Sequence, residues 1–524
     1  MRVVTPAQMA AIDKMAIGEK KIPGLLLMEH AGLKACEALR REIPAFLSEK
    51  ILVVAGTGNN AGDGFVIARN LARAGAVVAV ELLRGEEDVS GDAKVNLESL
   101  AAYDIEVFHA LPGHPLRTLL ADTTVVIDAI LGTGAHGELA SDYRDAVDNI
   151  NQARRHVMAI DVPTGLDAAT GQVNGPAVKA AFTVTMGLPK LGFFQYPAPD
   201  YLGKLYVAEI GFPPTLLSSA SLNTELSLGC DLAQFYPRRL DDSHKGNYGR
   251  ILVIGGSTGM VGAPVLAART ALRSGAGLVK LLVPAAQQLA AAALAPEVMV
   301  SPLPDTPEGT FSAASLPALE PFLEWADVVL LGPGLGRGPA VGEFVRKLVG
   351  SLSKPTVLDA DALHAWPARQ RLPEGDFLVT PHSGELSHLL ETPVEQIRVR
   401  RSELVLSAVN TLGATVLLKG PYSLVASREG RLSINPTGNP GLATAGSGDV
   451  LAGLVAALRA FPGSSSFDAM RTAVYLHGLA GDLAAEKVGQ VSLVAGDLLT
   501  ELPRAFDVLA HATGPIAYDK IRRI

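Results

Sequence analysis

Cysteine is almost missing from this sequence, with only Cys36 and Cys230 among 524 residues. Two thiols cannot build a disulfide framework, so each reads as a small buried or half-buried side chain rather than a reactive group. Aromatic residues make up 5% and charged residues only 19%, against 48% in the hydrophobic class. A chain so poor in charge and so rich in apolar side chains is not intrinsically disordered. Neither sign of charge dominates: 45 Lys and Arg face 53 Asp and Glu, a net −8. That mild acidity gives no electrostatic reason to expect nucleic acid as a partner. Long apolar runs are missing too. Residues 281–296 come nearest, but they are Ala-rich, interrupted by Gln and Pro, and too short to span a bilayer. The N-terminal residues carry charges throughout and show no apolar signal-peptide core. A soluble, cytoplasmic protein without a membrane partner is expected.

What is present is length, glycine and a repeated alternation. At roughly 100–200 residues per domain the chain holds two or more domains. Short apolar runs alternate with helical patterns, the signature of parallel α/β architecture. In the first part the runs are 51–56, 76–83, 124–130, 156–163 and 182–187. They are apolar on both faces, as strands covered by helices on both sides should be. Between 211 and 249 the pattern gives way to Pro/Ser-rich and polar, turn-prone sequence, so the spacing predicts a boundary near 218. A second series follows at 250–257, 277–284, 327–334, 355–363, 376–382 and 414–420, and the last third is helical.

The first candidate site is GTGNNAGDG (56–64), after a strand and opening a helix. Glycines there let backbone N–H groups approach an anion at the helix N-terminus. Gly56, Gly58 and Ala61 satisfy a Rossmann fingerprint, with Glu81 about 20 residues on, which opens a dehydrogenase reading beside that of a plain tight turn. The polar insert Asn59, Asn60 and Asp63 argues instead for a cation or a polar ligand group. Asp128 and Asp161 stand at the ends of later strands, each before a polar, glycine-containing loop. A strand-end Asp is either a cap or, at this edge of a parallel sheet, part of a ligand site.

The order NNAGDG, DAILGTG, DVPTGLD resembles the N-terminal domain of NAD(P)H-hydrate epimerases over about residues 1–215. The resemblance implies that Asn60, Asp128 and Thr164 hold a potassium ion. It also implies that Asn59, Asn60, Ala61, Gly62, Asp63, Gly132, Thr133, Gly134, Ala135, His136, Gly137, Glu138 and Asp161 contact the hydrated nucleotide. Ala61 stands where the family usually has glycine.

The second half carries GGSTGMVGAP (255–264) and GPGLGRG (332–338), neither with the G-K-[ST] of a Walker loop, so a P-loop NTPase is not expected. Lys419 in LKGPYS sits at a strand end, where an ammonium meets phosphates as a point charge. GNPGLATAGSGDVLAGL (438–454) is a glycine-rich turn running into a helix, with Asp449 in the first turn. Backbone donors there stabilise charge on a transferred phosphoryl group, and a carboxylate accepts a hydroxyl proton. The competing reading is that Ser447 or Asp449 only caps the helix. A lone His382 is weak evidence, and zinc is set aside because no CxxC or HExxH occurs. Asp359 and Asp361 end another strand and either position Mg²⁺ through waters or cap.

The GSGD segment is similar to the anion-hole motif of ribokinase-like kinases. The whole of about 224–524 resembles ADP-dependent NAD(P)H-hydrate dehydratases through GMVGAP, GPGLGR, VTPHSGE, KGPYS and NPGLATAGSGDVLAG. This implies that Ala263, Gly334, His382 and Asp449 meet the hydrate, with Asp449 as acid/base. It implies an ADP site of Lys419, Gly420, Pro421, Tyr422, Ser423, Asn439, Pro440, Gly441, Leu442, Ala443, Thr444, Ala445, Gly446, Ser447 and Gly448. Ser383, Ala445 and Ser447 replace the usual Pro, Gly and Thr.

Together the resemblances imply an α/β protein of two domains. Residues 1–217 form a Rossmann-like three-layer sandwich with epimerase activity, and 224–524 a ribokinase-like dehydratase domain. The implied substrates are NADH and NADPH hydrates and ADP, the implied ions K⁺ and Mg²⁺, and a homo-oligomer is expected. In the epimerase, Asp128 or Asp161 serves as proton carrier, a choice the residues leave open. The alternative is a ribokinase-like small-molecule kinase with a non-catalytic N-terminal dinucleotide-binding module.

Overall fold

A computed structural model describes residues 1–109, 116–134, 137–236 and 239–524. The chain divides into two compact units, Arg2–Leu222 with Lys520–Ile524, and Met1 with Asn223–Asp519. The expected boundaries, 1–217 and 224–524, differ from this division most at the C-terminus. Residues 520–524 join the first unit through a short strand, Ile521–Arg523, that no long apolar run announces.

The strands of the first unit are β1 (Lys50–Ala55), β2 (Val77–Leu82), β3 (Glu106–His109), β4 (Val125–Ala129), β5 (His156–Ile160), β6 (Phe182–Met186) and β7 (Lys204–Ala208). Their order across the sheet is Ile521–Arg523, β7, β6, β5, β4, β1, β2, β3. Every pairing among them is parallel. Strand β1 shows why this sheet forms. Ile51, Val53 and Ala55 enter one core with Ala31, Ala35, Phe65 and Ile67 from helices Gly24–Glu42 and Asn59–Arg73. Leu52 and Val54 enter a second core with Tyr143, Val147 and Ile150 of helix Ser141–Ala153. Side chains alternate faces along a strand, so a continuous apolar run needs a helical layer on each side. The Rossmann-like three-layer sandwich is the result.

The second unit has β8 (Thr224–Leu226), β9 (Arg250–Ile254), β10 (Leu278–Pro284), β11 (Met299–Leu303), β12 (Val328–Leu331), β13 (Thr356–Leu358), β14 (Phe377–Val379), β15 (Thr415–Leu418), β16 (Leu424–Ala426) and β17 (Leu432–Ile434). The order is β11, β10, β9, β12, β13, β14, β15, β16, β17, β8, parallel except where β16 pairs with β15 and β17. Helices Gly262–Arg273, Ser447–Arg459, Ser466–Val488 and Ala495–Ala510 bury their apolar residues in one core with Ile251 and Val253. Strand β11 escapes the sequence pattern because Pro302 interrupts it. Its place at the sheet edge is where a residue without an N–H donor is tolerated.

Helix Asn59–Arg73 lies close enough to β4 to need a glycine. A Cβ on Gly64 would come within 2.6 Å of the Ala129 Cβ and 3.1 Å of Val53. Overpacking of this kind costs about 1–3 kcal/mol. Gly64→Val is therefore expected to lower the urea midpoint of the first unit by a corresponding amount, read by circular dichroism. An unchanged midpoint would show that the helix is free to move off the sheet.

Candidate active sites

In the first sheet β1 lies between β4 and β2, so the chain leaves β1 in one direction and returns on its other side. Loops at such a switch point diverge and open a crevice beyond the strand ends. Helix Asn59–Arg73 starts there after β1, and Asp128 is the last residue but one of β4. Asp161 follows β5, and Lys190 lies in the loop after β6.

Asp128 is wholly buried. The Thr164 hydroxyl donates to its Oδ1 at 2.7 Å and the Thr164 N–H to its Oδ2 at 2.8 Å, with the Ile130 N–H 3.3 Å from Oδ1. Burial pushes the Asp128 carboxyl up to about 6, against the opposing pull of these donors. The Leu131 N–H donates to Thr164 Oγ1 at 3.1 Å, and a Cβ on Gly132 would lie 3.4 Å from the Asn60 carboxamide. One short loop thus joins Asn60, Asp128 and Thr164. Both polar atoms of the buried Asn60 side chain lack a hydrogen-bond partner among the described residues. A buried amide left unpaired is costly unless a ligand completes it, so the donor set fits a cation of the potassium kind. No group of three or more His, Cys, Asp or Glu among the described residues could hold a metal ion. Any cation here would rely on one carboxylate, Asp128, beside amide and hydroxyl oxygens.

Asp161 is arranged differently. Its backbone is left-handed, with φ of 60°. Its Oδ1 accepts from Lys190 Nζ at 2.5 Å, the Thr185 hydroxyl at 3.1 Å and the Met186 N–H at 3.2 Å. Among the described residues its Oδ2 accepts only from the Thr133 N–H, at 3.3 Å. Burial alone would raise the Asp161 carboxyl, but the Lys190 ammonium, joined by the Met186 and Thr185 donors, holds the group below the usual carboxylate range. Asp63, half-buried on its helix, is pushed well above that range by burial and by Asp161 and Asp13. Asn59, Gly134, Gly137 and Glu138 are exposed, Gly62 is buried, and Ala135 and His136 lie outside the described residues. Ala61 has ordinary helical backbone and packs wholly inside the core, so the methyl that replaces the usual glycine crowds nothing. Glu81, which the dehydrogenase fingerprint needs at a ribose, is 1% exposed. Lys190 and Asp13 escape the sequence reading. Lys190 does have the strand-end placement that singles out Lys419.

In the second unit the ends of β9, β12, β13, β14 and β15 lie side by side. Asp359 follows β13 and is buried; its Oδ1 accepts from Lys419 Nζ at 2.9 Å and from the Thr380 hydroxyl at 2.7 Å. Glu385 Oε2 lies 3.7 Å from Lys419 Nζ and accepts the His382 N–H at 2.8 Å. His382 itself caps helix Ser383–Leu390, with Nδ1 accepting from Gly384 and Glu385. Ser383 is the first residue of that helix, a position where proline is equally at home. Asp361 accepts from the Gly336 N–H at 3.0 Å and from Arg337 at 3.2 Å. Asp361 therefore ties down the 332–338 loop rather than capping. With these partners in place, Asp359 and Asp361 do not fit as a ready-made magnesium cradle.

Helix Ser447–Arg459 begins after Gly446, whose φ of 86° is the left-handed turn that aims the following N–H groups outward. No side chain caps this helix. The Ser447 hydroxyl donates to Leu442 O at 2.9 Å, and the buried His477, kept neutral by burial at about 4, donates from Nε2 to Ser447 O at 2.9 Å. The carboxyl of Asp449 is pushed up to about 7 by burial and by Asp359, with Lys419 opposing. A Cβ on Gly448 would lie 3.6 Å from Lys419 Nζ, so the lysine sits under the helix start. The Asn439 carboxamide is engaged with Asp482 and with the Gly441 N–H, and Ala445 has ordinary backbone. Ser423 Oγ closes the 419–423 loop on Gly420 O at 2.8 Å, and buried Arg401 supports Tyr422 O from below at 3.4 Å. A Cβ on Gly334 would lie 3.3 Å from the Ala263 Cβ, so those two residues adjoin. Pro421, Pro440, Ala443 and Ala445 are exposed, while Gly420, Leu442 and Thr444 complete the loops. Sequence reasoning missed Glu385, Arg401, His477 and Asp482, whose roles depend on contacts made far along the chain.

Residues 24–192 match the family described as YjeF-related protein N-terminus, and residues 251–504 the family described as NAD(P)H-hydrate dehydratase. A bifunctional NAD(P)H-hydrate repair enzyme of Moorella thermoacetica is 42% identical over 512 residues, covering 96% of each chain. One of Thermofilum pendens is 37% identical over 517 residues, covering 97% of each. The crystal structure of an ADP/ATP-dependent NAD(P)H-hydrate dehydratase from Bacillus subtilis, co-crystallized with ATP/Mg²⁺, is 28% identical with a TM-score of 0.48, covering 55% of this chain and 99% of its own.

The raised carboxyl of Asp449 has a cost that can be read directly. Its folded-state value of about 7 exceeds the ordinary 3.8, so the folded state disfavours the ionised form. That penalty is absent at strongly acid pH, grows through the window between the two values, and is complete above it. Asp449→Asn removes the titration. It is expected to stabilise the second unit by on the order of 2 kcal/mol at alkaline pH and far less under acid conditions. Denaturant unfolding at the two ends of that window checks the difference.

Proposed function

The chain belongs to the bifunctional NAD(P)H-hydrate repair enzymes, and from that premise we propose a division of labour between its units. The first interconverts the R and S hydrates of NADH and NADPH. The second dehydrates the S form to the reduced nucleotide using ADP, with AMP and phosphate as products. The observation that carries the reading is Asp449. It stands in the first turn of a helix it does not cap, with a carboxyl raised to about 7 and a lysine beneath the adjoining backbone donors. A residue so placed is poised for proton transfer near neutrality rather than for stability.

The hydrate carries a hydroxyl on the carbon beside the ring nitrogen. In the first unit, the nitrogen lone pair forms a C=N bond as the C–O bond breaks, and the hydroxyl takes a proton from solvent and leaves as water. Water then adds to either face of the flat cation, returning the electrons to nitrogen and releasing a proton. Asp161 is the better placed of the two carboxylates to face this cation. Among the described residues its Oδ2 has a single long contact, whereas both oxygens of Asp128 are engaged. An ionised, oriented carboxylate stabilises positive charge that develops in a water-poor site. Asn60, Asp128 and Thr164 would hold potassium, which supplies a point charge that organises the polar groups of the hydrate.

In the second unit, Asp449 takes the proton of the hydroxyl as its oxygen attacks the β-phosphorus of ADP and AMP departs. The phosphate ester is a far better leaving group than hydroxide. Nitrogen expels it, and loss of a proton from the adjacent ring carbon restores the reduced ring. Backbone N–H groups of 446–448 and Lys419 stabilise the charge on the transferred group. Magnesium would be carried by the ADP phosphates as their counter-ion, without Asp359 and Asp361 as its cradle. A cytoplasmic location and a homo-oligomeric state are further parts of this proposal.

Mixed R and S hydrate incubated with ADP should regain the reduced-nicotinamide absorbance completely, with AMP and phosphate released in equal amounts. Asp128→Asn removes the one full negative charge among the proposed cation ligands. It is expected to slow consumption of the R form to its spontaneous rate and abolish any potassium response, leaving S-hydrate dehydration intact. An unaltered potassium titration would remove the cation from the site. Asp449→Asn should lower single-turnover dehydration by about 10² or more while ADP affinity changes little. In the parent chain dehydration should rise with pH through about 7, as the Asp449 carboxyl ionises. Near-normal rates in the Asn variant would leave the reaction without its proton acceptor.

A further inference from the structure

Lys190 is wholly buried. An ammonium is expensive to bury unless each proton finds an acceptor. Here all three do: Asp161 Oδ1 at 2.5 Å, Thr185 Oγ1 at 2.7 Å and Met186 O at 3.1 Å. The same Thr185 hydroxyl and the Met186 N–H also donate to Asp161 Oδ1, so that oxygen is saturated by one cluster. The other oxygen is directed to the Thr133 N–H of the loop that follows β4. Asp161 is further fixed from its backbone, where its N–H donates to Val184 O of β6 at 2.7 Å while φ is left-handed at 60°. Strained backbone at a site end persists only when its surroundings over-determine it.

We propose that Lys190 is the positioning residue of the epimerase site: it pins one oxygen of Asp161 and leaves the other as the single oxygen presented to the hydrate. The proposal rests on the epimerase reading given above. The charged groups around Asp161 come from three elements. Asp13 lies on helix Pro6–Gly18, Asp63 on helix Asn59–Arg73, and Lys190 in the loop after β6. One ammonium therefore serves three carboxyls. Asp13 is pushed up to about 6 by burial, with Lys190 opposing, and Asp63 is raised further; only Asp161 is held below the usual range. Lys190 decides which of the three is the anion. A merely structural ion pair behaves otherwise, since replacing both partners by neutral groups of similar size is often without penalty.

The test uses the full chain with Lys190→Met, Lys190→Arg, Asp161→Asn and the Lys190→Met/Asp161→Asn pair. Carboxyl carbon NMR of labelled aspartate, with Asp161 assigned by its loss in Asp161→Asn, reads the ionisation directly. In Lys190→Met the Asp161 signal should titrate at higher pH than in the parent. R-to-S conversion above the spontaneous rate should fall about 10²-fold in turnover, with the acid limb of its pH profile moved upward and KM little changed. Lys190→Arg should restore part of both. The double variant should be no slower than Asp161→Asn alone, because the lysine acts through that carboxylate. An unmoved Asp161 signal, a parent-like profile in Lys190→Met, or a double variant slower than Asp161→Asn overturns the proposal. A parent chain with no epimerisation above the spontaneous rate overturns the epimerase reading, and the carboxyl signal still decides whether Lys190 pins Asp161.

Discussion

A parallel sheet covered by helices on both faces has only its strand ends free to meet a ligand, and both units of this protein obey that constraint. Their strands are apolar on both sides, so no polar side chain can be accommodated along most of their length without a buried partner. Carboxylates, amides and a lysine are therefore pushed to one edge, and there they crowd. In the first unit Asp13, Asp63 and Asp161 gather around one buried ammonium, Lys190. In the second, Asp359, Glu385 and Asp449 gather around another, Lys419. The fold concentrates charge where water is scarce, and perturbed acidity follows without further design.

The two clusters use the same ingredients to opposite ends. Lys190 lies against Asp161 and keeps it ionised, an anion suited to facing a cation. Lys419 is bonded to Asp359 instead, and Asp449 feels the repulsion of Asp359 more than the attraction of the lysine. Its carboxyl rises to about 7, where it can both accept and release a proton near neutrality. Which carboxylate the lysine touches settles whether the neighbouring acid is a fixed charge or a proton carrier.

Much of this was legible in the residues. Short apolar runs marked β1, β2, β4, β5 and β6 and the strands β9, β10, β12, β13, β14 and β15, because burial on both faces leaves a continuous apolar pattern. The short strands β8, β16 and β17 near the edge of the second sheet leave none, and Pro302 masks β11. The glycine loops and strand-end acids pointed to where the sites lie. What sequence spacing could not carry was partnership. Nothing local says that Lys190 reaches back across 29 positions to Asp161, or that Asn439 bonds Asp482. The capping alternatives for Ser447 and Asp449 likewise needed the hydroxyl of Ser447 to be seen on Leu442 O.

The last strand, Ile521–Arg523, lies against β7, with Ile521 beside Leu205 and Arg523 beside Val207, and Arg522 reaches Glu42. Met1, conversely, exchanges hydrogen bonds with Leu226 and belongs to the second unit. Each unit thus borrows an end of the chain that, by order along the polypeptide, is nearer the other. A cut between Leu222 and Asn223 would not release two self-sufficient halves. The front piece would lack the strand that closes one edge of its sheet, and the rear piece would carry that strand away with nothing to pair it. Neither unit is whole without the uncut chain, since the segment that completes each lies on the far piece.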